Sequence, residues 1–290
     1  MKLLVSLNNK KIEDYLNYTN SFIIGIKDLS INNYLFSLEE VKDLLNKYDI
    51  NLFINLNANY FNKDLELLEK TILELSKLKI EGILFYDLAV LEIVKRNHLD
   101  INLCWNQEHM VNNYNTCNYY YNKGCTYAYL TSDITKEEMM EISKNTKIKL
   151  ITMFFGHPLV SFSKRELVTN YFLFNKKKKE KEVYTIRNKD SEGYFITESD
   201  KGTRILTTEY LNGVKPFCYL HDVIEYGVLD EQLIDHDLFI KVLSVFKDLN
   251  DSKINEEEAH KKVFELTGSD NTMFFDIKTI YKVKKDEKKN

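Results

Sequence analysis

The residues best suited to chemistry lie in the segment Lys149–Phe172, KLITMFFGHPLVSFSKRELVTNYF. Its first part, Leu150–Phe155, is an unbroken apolar run, which predicts a strand buried on both faces. Gly156-His157-Pro158 ends that strand, because proline cannot donate to a sheet and restricts the residue before it. Hydroxyl and cationic side chains follow, at Ser161, Ser163, Lys164 and Arg165. A buried strand that ends in such a loop is typical of a binding site in an α/β protein.

Arg165 is the residue of this loop best able to hold an anion, because a planar guanidinium grips carboxylate or phosphate with two hydrogen bonds. The alternative interpretation is that Arg165 forms an ordinary surface ion pair. Lys164 would add a second positive charge and Ser163 a hydroxyl. A serine–lysine catalytic pair remains an alternative, although this spacing is common in proteins. His157 is either a substrate-binding residue or a turn residue before Pro158.

A second polar segment, Gln107-Glu108-His109, follows the apolar run Ile101–Trp105. Glu108 and His109 are the side chains suited to moving protons in acid–base catalysis. Because they are adjacent, they do not share one face of a strand or helix, and their spacing differs from the HExxH pattern of zinc enzymes. We therefore predict no metal site.

The order of elements predicts the fold. Strands are expected to begin near residues 2, 22, 51, 82, 101, 126 and 149, each except the last followed by a helix. Ser37–Glu40 and Thr135–Glu138 are capping boxes that mark two helix starts. An eighth strand is expected near Gln232–Asp237, after a helix over Tyr219–Tyr226. Eight such units predict an α/β fold, a TIM-like (β/α)8 barrel of parallel strands. A Rossmann fold is disfavoured because no glycine-rich phosphate fingerprint follows the first strand.

Residues 1–250 are assigned to the barrel, with a small β-hairpin insertion at 176–212 between strands 7 and 8. Turns at Asp190–Gly193 and Asp200–Gly202 mark its hairpins. The charge run Lys176–Glu182 within it is interpreted as a solvated tip. Residues 251–290 are a C-terminal extension with a helix over Glu256–Leu266 and a charged tail.

Ligand-binding side chains of parallel barrels lie at the C-terminal ends of the strands. Polar residues at the predicted ends are therefore expected to converge. They are Asn55, Asn57, Asp87, Gln107, Glu108, His109, Thr131, Asp133, His157 and Asp235–Asp237. From this set we predict that Asn57, Asp87, Gln107 and His157 bind substrate.

The composition narrows the class of protein. A formal net charge of −4 and a pI near 6.0 argue against a polybasic nucleic-acid binder, although they do not exclude a local basic patch. No apolar run is long enough to cross a membrane and the N-terminus does not resemble a signal peptide, so a cytoplasmic protein without a membrane partner is expected. The four cysteines are expected to be free thiols, with Cys104 and Cys125 in the core.

Six segments have a familiar order along the chain: FSLEEVKDLL from Phe36, INLNANYFNKDLELLE from Ile54, EGILFYDLAV from Glu81, CWNQEHMVNNY from Cys104, FFGHPLVSFSKRELVTNYF from Phe154 and IYKVK from Ile280. With them the sequence resembles the peptidase U32 family, also called collagenase-like proteases, over nearly its whole length. The closer resemblance is to a short, cysteine-poor branch found in low-GC bacteria. The resemblance implies a TIM-like barrel. It also implies site positions at Gln107, Glu108, His109, Asn113, Ser163, Lys164 and Arg165.

The functions that the resemblance implies are oxygen-independent hydroxylations of a tRNA wobble uridine, a ribosomal RNA cytidine or the ubiquinone ring. Prephenate is implied as the hydroxyl donor. Several family members carry a four-cysteine iron–sulfur cluster, whereas the corresponding loop here has Val160 and Glu166 and no cysteine. We therefore expect no iron–sulfur cluster in this chain.

The favoured hypothesis is that the chain works with a cluster-bearing U32 paralogue in forming 5-hydroxyuridine on tRNA. In this hypothesis Glu108, His109 and Arg165 are the catalytic residues, and Asn113, Ser163 and Lys164 join the predicted substrate-binding set. The alternatives are a collagenase-like peptidase, or a non-catalytic RNA-binding or scaffold subunit. Whether the chain is itself an enzyme is left open by the sequence.

Overall fold

The structure is a computed structural model that describes residues 1–31, 33–107, 110–187 and 193–276. Its strands, in chain order, are β1 (Lys2–Ser6), β2 (Ser21–Ile26), β3 (Leu35–Phe36), β4 (Asn51–Leu56), β5 (Gly82–Phe85), β6 (Leu103–Trp105), β7 (Tyr127–Tyr129), β8 (Lys149–Gly156), β9 (Leu159–Ser163), β10 (Val183–Arg187), β11 (Gly193–Ser199), β12 (Gly202–Thr207), β13 (Leu211–Asn212) and β14 (Tyr226–Asp230). The α-helices are α1 (Leu38–Lys47), α2 (Leu65–Leu75), α3 (Leu88–Arg96), α4 (Tyr114–Asn122), α5 (Lys136–Asn145), α6 (Leu167–Phe174), α7 (Val214–Tyr219), α8 (His236–Asn250) and α9 (Glu256–Thr267).

Eight parallel strands form a closed barrel in the order β1, β2, β4, β5, β6, β7, β8 and β14. Closure comes from β1, which pairs in parallel with β14 on one side and with β2 on the other. The predicted TIM-like barrel is confirmed, as are the seven expected strands. Both capping boxes are also confirmed, at the starts of α1 and α5.

The predicted eighth strand, Gln232–Asp237, is wrong, and so is the helix predicted before it. The strand is β14, whose apolar residues up to Leu229 are all buried. The preceding helix is α7, which ends at Tyr219. Asp235 does not extend a strand, because its carboxylate accepts the amide of Leu238 and caps the start of α8. An aspartate ahead of an apolar helical pattern is a standard N-cap signal.

The barrel interior is filled by side chains rather than open. Leu4, Phe53, Cys104, Ile151 and Tyr226 are among the buried residues that pack inside it. A larger buried layer lies between the strands and the surrounding helices. The core positions predicted for Cys104 and Cys125 are confirmed, because both are almost completely buried. A packed interior leaves the C-terminal mouth as the place for a ligand.

The chain leaves the barrel at Gly156, the last residue of β8. Its φ of +136° is rare for residues with a side chain, and a Cβ here would lie 2.9 Å from the carbonyl oxygen of Asp230. Three residues later β9 begins a second, antiparallel sheet in the order β10, β11, β12 and β9. We call this sheet together with α6 the insertion. It begins at residue 159, upstream of the range 176–212 expected from the sequence.

The chain returns through β13, which pairs antiparallel with the end of β8. The predicted C-terminal helix is confirmed as α9, which ends with Gly268 in the left-handed conformation. Most of the predicted turn Asp190–Gly193 and the motif beginning at Ile280 lie outside the described residues. Across the described ranges, no helix is both long and apolar enough to span a membrane.

Candidate functional site

A cavity opens at the C-terminal mouth of the barrel. Its floor is apolar, formed by Ile23, Leu84, Met153 and Val228 above the packed interior. Its walls are polar and come from strand ends, from the loops after them and from the insertion. The polar wall residues are Ser6, Asn33, Asn55, Asn57, Asn106, Thr131, Ser132, Thr152, His157, Arg204, Asp230 and Gln232. An apolar floor with a few convergent polar groups is the usual form of a small-molecule site.

One wall of the cavity is a chain of hydrogen bonds between side chains. The amide nitrogen of Asn55 donates to Asn33 Oδ1 at 2.8 Å, and Asn33 Nδ2 donates to Ser6 Oγ at 2.6 Å. The Ser6 hydroxyl bonds in turn to the carboxyl group of Asp230. Asn33 adopts a left-handed backbone with φ 60°, which asparagine tolerates better than most residues. The chain fixes the orientation of both amides.

Asp230 and Arg204 give the cavity its charges. Burial raises the pKa of Asp230, and the backbone amide of Gln232, the Ser6 hydroxyl and the positive charge of Arg204 partly offset this rise. Asp230 ends the barrel strand β14, whereas Arg204 comes from β12 of the insertion. The cavity is therefore completed only when the insertion lies over the mouth.

Two acceptor atoms in the cavity wall are buried without a hydrogen-bond partner among the described residues. They are Asn55 Oδ1 and His157 Nε2, on residues that are 8% and 3% exposed. His157 Nδ1 lies 3.3 Å from the Glu209 carbonyl oxygen, which can only accept. The proton is therefore assigned to Nδ1, and Nε2 is left as an acceptor.

Burial lowers the pKa of His157 to about 4, against the opposing effect of hydrogen bonds with the backbone of Glu209 and Thr207. The imidazole is therefore neutral at pH 7. Leaving a buried acceptor unpaired costs about 1–3 kcal/mol, so such atoms are commonly paired by water or ligand. The cavity thus suits a ligand that offers hydrogen-bond donors such as hydroxyl groups.

The predicted site residues fall into five groups, of which two lie beside the cavity or on its outer rim. Asn57 and His157 line the cavity, and Asn57 also makes two hydrogen bonds to the backbone of Ile31. Asp87 and Asn113 are outside the cavity wall and accept backbone amides at the starts of α3 and α4. Glu108 and His109 lie outside the described residues.

Gln107 lies beside the cavity. Its side chain accepts from the indole of Trp105 at 3.1 Å and donates to the backbone oxygen of Tyr86 at 2.8 Å. The Tyr86 ring packs edge-on against Phe162 of β9, with centroids 6.0 Å apart. Phe162 of the insertion thus contacts the loop after the fourth barrel strand, β5, whose backbone Gln107 also binds.

Ser163, Lys164 and Arg165 lie on the outer rim, where Lys164 and Arg165 are exposed and do not line the cavity. Lys164 Nζ is 3.6 Å from the centre of the Phe61 ring. Arg165 is held through its backbone, because its amide donates to Ser163 Oγ and its carbonyl accepts from Thr203. The two predicted anion-binding side chains thus face solvent beside the mouth.

Residues 23–289 match the model of peptidase family U32. The chain belongs to this family. Among curated proteins, tRNA hydroxylation protein P2 of Bacillus subtilis (strain 168) is 25% identical over 240 residues, which are 78% of this chain and 77% of that protein.

Among solved structures, the U32 peptidase Mk0906 has a TM-score of 0.49 at 10% identity, covering 79% of this chain and 92% of that one. The tryptophan synthase complex from Pyrococcus furiosus has a TM-score of 0.44 at 10% identity, covering 92% and 98%.

None of the four cysteines of this U32 chain forms a disulfide bond. Cys104, Cys117 and Cys125 are buried free thiols and Cys218 is partly buried. Burial raises the pKa of each thiol, to about 12 for Cys117 and Cys125. In the part of the chain that the structure describes, no three His, Cys, Asp or Glu side chains are grouped as metal ligands.

Sequence reasoning missed eight of the polar wall residues, which are Ser6, Asn33, Asn106, Ser132, Thr152, Arg204, Asp230 and Gln232. Ser6 and Asp230 are the last residues of barrel strands, so the strand-end rule could have found both. Asp230 was missed because the eighth strand was predicted at the wrong residues. Arg204 lies on a hairpin strand, where no local pattern indicates a ligand-binding role.

The predicted candidates Asp235–Asp237 also lie elsewhere, around the start of α8. His236 there hydrogen bonds to the buried carboxylate of Glu231, which also accepts from Tyr15. This network lies behind the cavity wall, because Glu231 is flanked by the wall residues Asp230 and Gln232. It joins the loop after β1 to the start of α8.

Proposed function

We propose that this U32 chain acts in oxygen-independent hydroxylation of the tRNA wobble uridine, together with a cluster-bearing U32 paralogue and with prephenate as hydroxyl donor. The observation that carries the proposal is the similarity to tRNA hydroxylation protein P2, which extends over 78% of this chain. The barrel mouth supplies a site of suitable chemistry.

Prephenate is a small dicarboxylate with a ring hydroxyl. In the proposal, Arg204 binds one carboxylate through charge-assisted hydrogen bonds, which are stronger than those between neutral groups. Asn55 Oδ1 and His157 Nε2 accept hydrogen bonds from the ligand, since both atoms lack partners among the described residues. The negative charge of Asp230 opposes binding of a dianion, and burial, which raises the pKa of this carboxyl group, disfavours that charge. The neutral amides and hydroxyls of the remaining wall orient the ring.

The redox balance of the reaction requires a partner. Release of hydroxide from prephenate, with loss of carbon dioxide to give phenylpyruvate, is redox-neutral. Conversion of uridine C5–H to C5–OH with that hydroxide removes two electrons and one proton. We assign the acceptor of those electrons to the cluster-bearing paralogue, because the thiols of this chain are mostly buried. The chain itself then contributes the donor site.

Deletion of the gene, alone and together with its paralogue, tests the function. Mass spectrometry of nucleosides from bulk tRNA is expected to show loss of 5-hydroxyuridine derivatives. Restoration by the wild-type gene, but not by an Arg204→Ala copy, is the expected complementation pattern. Unchanged modification in the double deletion would contradict the proposal.

Calorimetric titration of the purified protein with prephenate tests the ligand. Arg204→Ala is expected to weaken binding by at least about tenfold, because a charge-assisted hydrogen bond is lost. Arg96→Ala is the matched control, since Arg96 lies on α3 and pairs with Glu69 away from the cavity. Equal binding of prephenate and phenylpyruvate would contradict a site that recognises the hydroxyl.

A further inference from the structure

A surface of cations and exposed rings lies on the rim beside the cavity. We define the rim surface as Phe61, Lys164, Arg165, Tyr171, Phe174 and Lys176–Lys178. Residues 161–187, which include most of it, contain eight Lys or Arg and three Glu, whereas the whole chain has 40 basic and 44 acidic residues. A strongly basic segment in an acidic protein is the local patch that total charge conceals.

The rim surface is anchored to the barrel. Besides the contact of Lys164 with Phe61, Lys201 at the β11–β12 turn lies 3.7 Å from the carboxylate of Asp64. The positive charges of Lys201, Lys63 and Lys164 all help to lower the pKa of Asp64, after its hydrogen bond from the Phe61 amide. The loop after β4 and two tips of the insertion therefore meet in one basic cluster.

Helix α6 exposes its apolar side chains instead of burying them. Leu167, Tyr171 and Phe174 follow the spacing of one helix face and are 42%, 61% and 88% exposed. Only Val168 of this helix is buried. The exposed face begins beside Arg165 and ends beside Lys176, so cations flank it at both ends.

The lysine run predicted to be a solvated tip is exposed, but its backbone is fixed. Lys176 adopts a left-handed conformation with φ 53°, and the amide of Lys177 donates to the Phe172 carbonyl at 2.9 Å, which closes the end of α6. Further along, the hydroxyl of Tyr184 accepts the amides of Glu180 and Lys181. A fixed backbone reduces the freedom that these lysines lose on binding.

We propose that the rim surface binds the RNA substrate, with phosphates on its cations and unpaired bases stacked on Tyr171 and Phe174. Exposed rings between cations are the usual means of binding single-stranded loops, because every base has a face that can stack. The choice of a tRNA loop rests on the proposed function. Strand β9 connects His157 and Pro158 in the cavity wall to Lys164 and Arg165 of the rim surface, so RNA bound there would place a nucleotide near the donor site.

The alternative ligand of the rim surface is a protein partner, which would need acidic groups to match these cations. The exposed leucines of α6 do not by themselves favour RNA over a protein. The observations that favour RNA are the net positive charge, the ring–cation contact and the position beside the mouth. Phosphates satisfy all of the cations, whereas an apolar protein surface would leave them buried without partners.

Fluorescence anisotropy with a labelled anticodon stem–loop RNA tests the cations. The triple variant Lys164→Ala, Arg165→Ala, Lys177→Ala is expected to bind at least about tenfold more weakly at about 50 mM salt and to reduce the slope of log K against log salt by about two. The matched control is Lys79→Ala, Lys144→Ala, Lys147→Ala, which removes equal charge from exposed positions near the opposite barrel end.

The double variant Tyr171→Ala, Phe174→Ala tests stacking and is expected to weaken binding by about tenfold while leaving the salt slope unchanged. Its control is Tyr121→Ala, Phe264→Ala, two rings of 42% and 44% exposure elsewhere. Circular dichroism melting of every variant verifies folding.

Absence of RNA binding by the wild-type chain, or equal loss in the test and control variants, overturns the proposal. The proposal is also overturned if the test variants bind RNA as the wild type does but no longer co-purify with the paralogue. That result would show that the rim surface is a protein interface. The gene deletion described above tests the proposed function and does not use these variants. RNA binding by the rim surface and the proposed function can therefore be contradicted separately.

Discussion

The cavity and the rim surface lie side by side, yet they present polar groups in opposite ways. In the cavity, amides and hydroxyls of strand ends are largely buried and bonded to one another, as in the chain from Asn55 to Asp230. On the rim, Lys164 and Arg165 are exposed to solvent. A buried polar group must have its partners built in, whereas a surface cation keeps its charge for a partner that arrives from solution. The two regions therefore suit a small molecule and a polyanion, respectively.

The two regions also differ in what holds them. The cavity wall rests mainly on hydrogen-bonded strands of a closed sheet, which fixes its geometry through the backbone. The rim depends on side-chain contacts within the insertion. The following predictions test the side chains that support the rim, the cavity and the surrounding barrel, beginning with the largest expected effect.

Glu198 is the main support of the rim. Its carboxylate accepts the amides of Val168 and Thr169 at the start of α6, and also hydrogen bonds from Lys179 and Thr203. Glu198→Ala leaves those donors unpaired and is expected to destabilise the insertion by about 3 kcal/mol. Hydrogen exchange should show faster exchange in α6 and unchanged protection of the barrel strands. Equal loss of protection in both would contradict separate support.

Glu198 also makes this support sensitive to acid. Burial acts to raise its pKa, but the hydrogen bonds of Thr169, Lys179 and Thr203 outweigh it and lower the pKa to about 2 from 4.5. Its stabilising contribution is therefore present above pH 4.5 and is lost as the pH falls toward 2. Glu198→Gln should remove this acid sensitivity.

Within the cavity, Asn57 is expected mainly to stabilise the fold and Asn55 mainly to bind the ligand. Asn57 makes two hydrogen bonds of 2.7 and 2.8 Å with the backbone of Ile31, so Asn57→Ala is expected to cost about 2 kcal/mol of unfolding free energy in urea titrations. Asn55→Ala should cost about half as much but weaken prephenate binding by about tenfold, since it removes an unpaired acceptor. The reverse order of the two effects would show that the roles are exchanged.

His236 should give the smallest effect, and one that depends on pH. Burial acts to lower its pKa, but hydrogen bonds to Glu231 at 2.7 Å and Asp14 at 3.1 Å raise it above 6.5. Its charge-dependent stabilisation is complete below pH 6.5 and is lost as the pH rises through the raised value. His236→Gln should therefore cost about 1 kcal/mol or less at about pH 5.5, and less still at about pH 8.5. Urea titrations at both values test this, and a cost that grows with pH would contradict the assignment.

The sequence alone determined the barrel, because its evidence is local. Apolar runs, helical spacing and the capping boxes at Ser37 and Thr135 each specify one element, and their alternation specifies parallel strands. The same reasoning placed Asn57 and His157 at strand ends, where both line the cavity. It failed at the eighth strand, because a short run that is buried on both sides, Tyr226–Leu229, has no periodicity that separates strand from helix.

Only the tertiary structure decided which side chains share the cavity. Arg204 reaches it because β12 pairs with β9, which leaves the barrel at Gly156, and that pairing joins residues far apart in the chain. It likewise placed Lys164 and Arg165 outside the cavity, with Lys164 against the Phe61 ring. Residue types and spacing predict what each side chain can do. The register of distant strands determines what it meets.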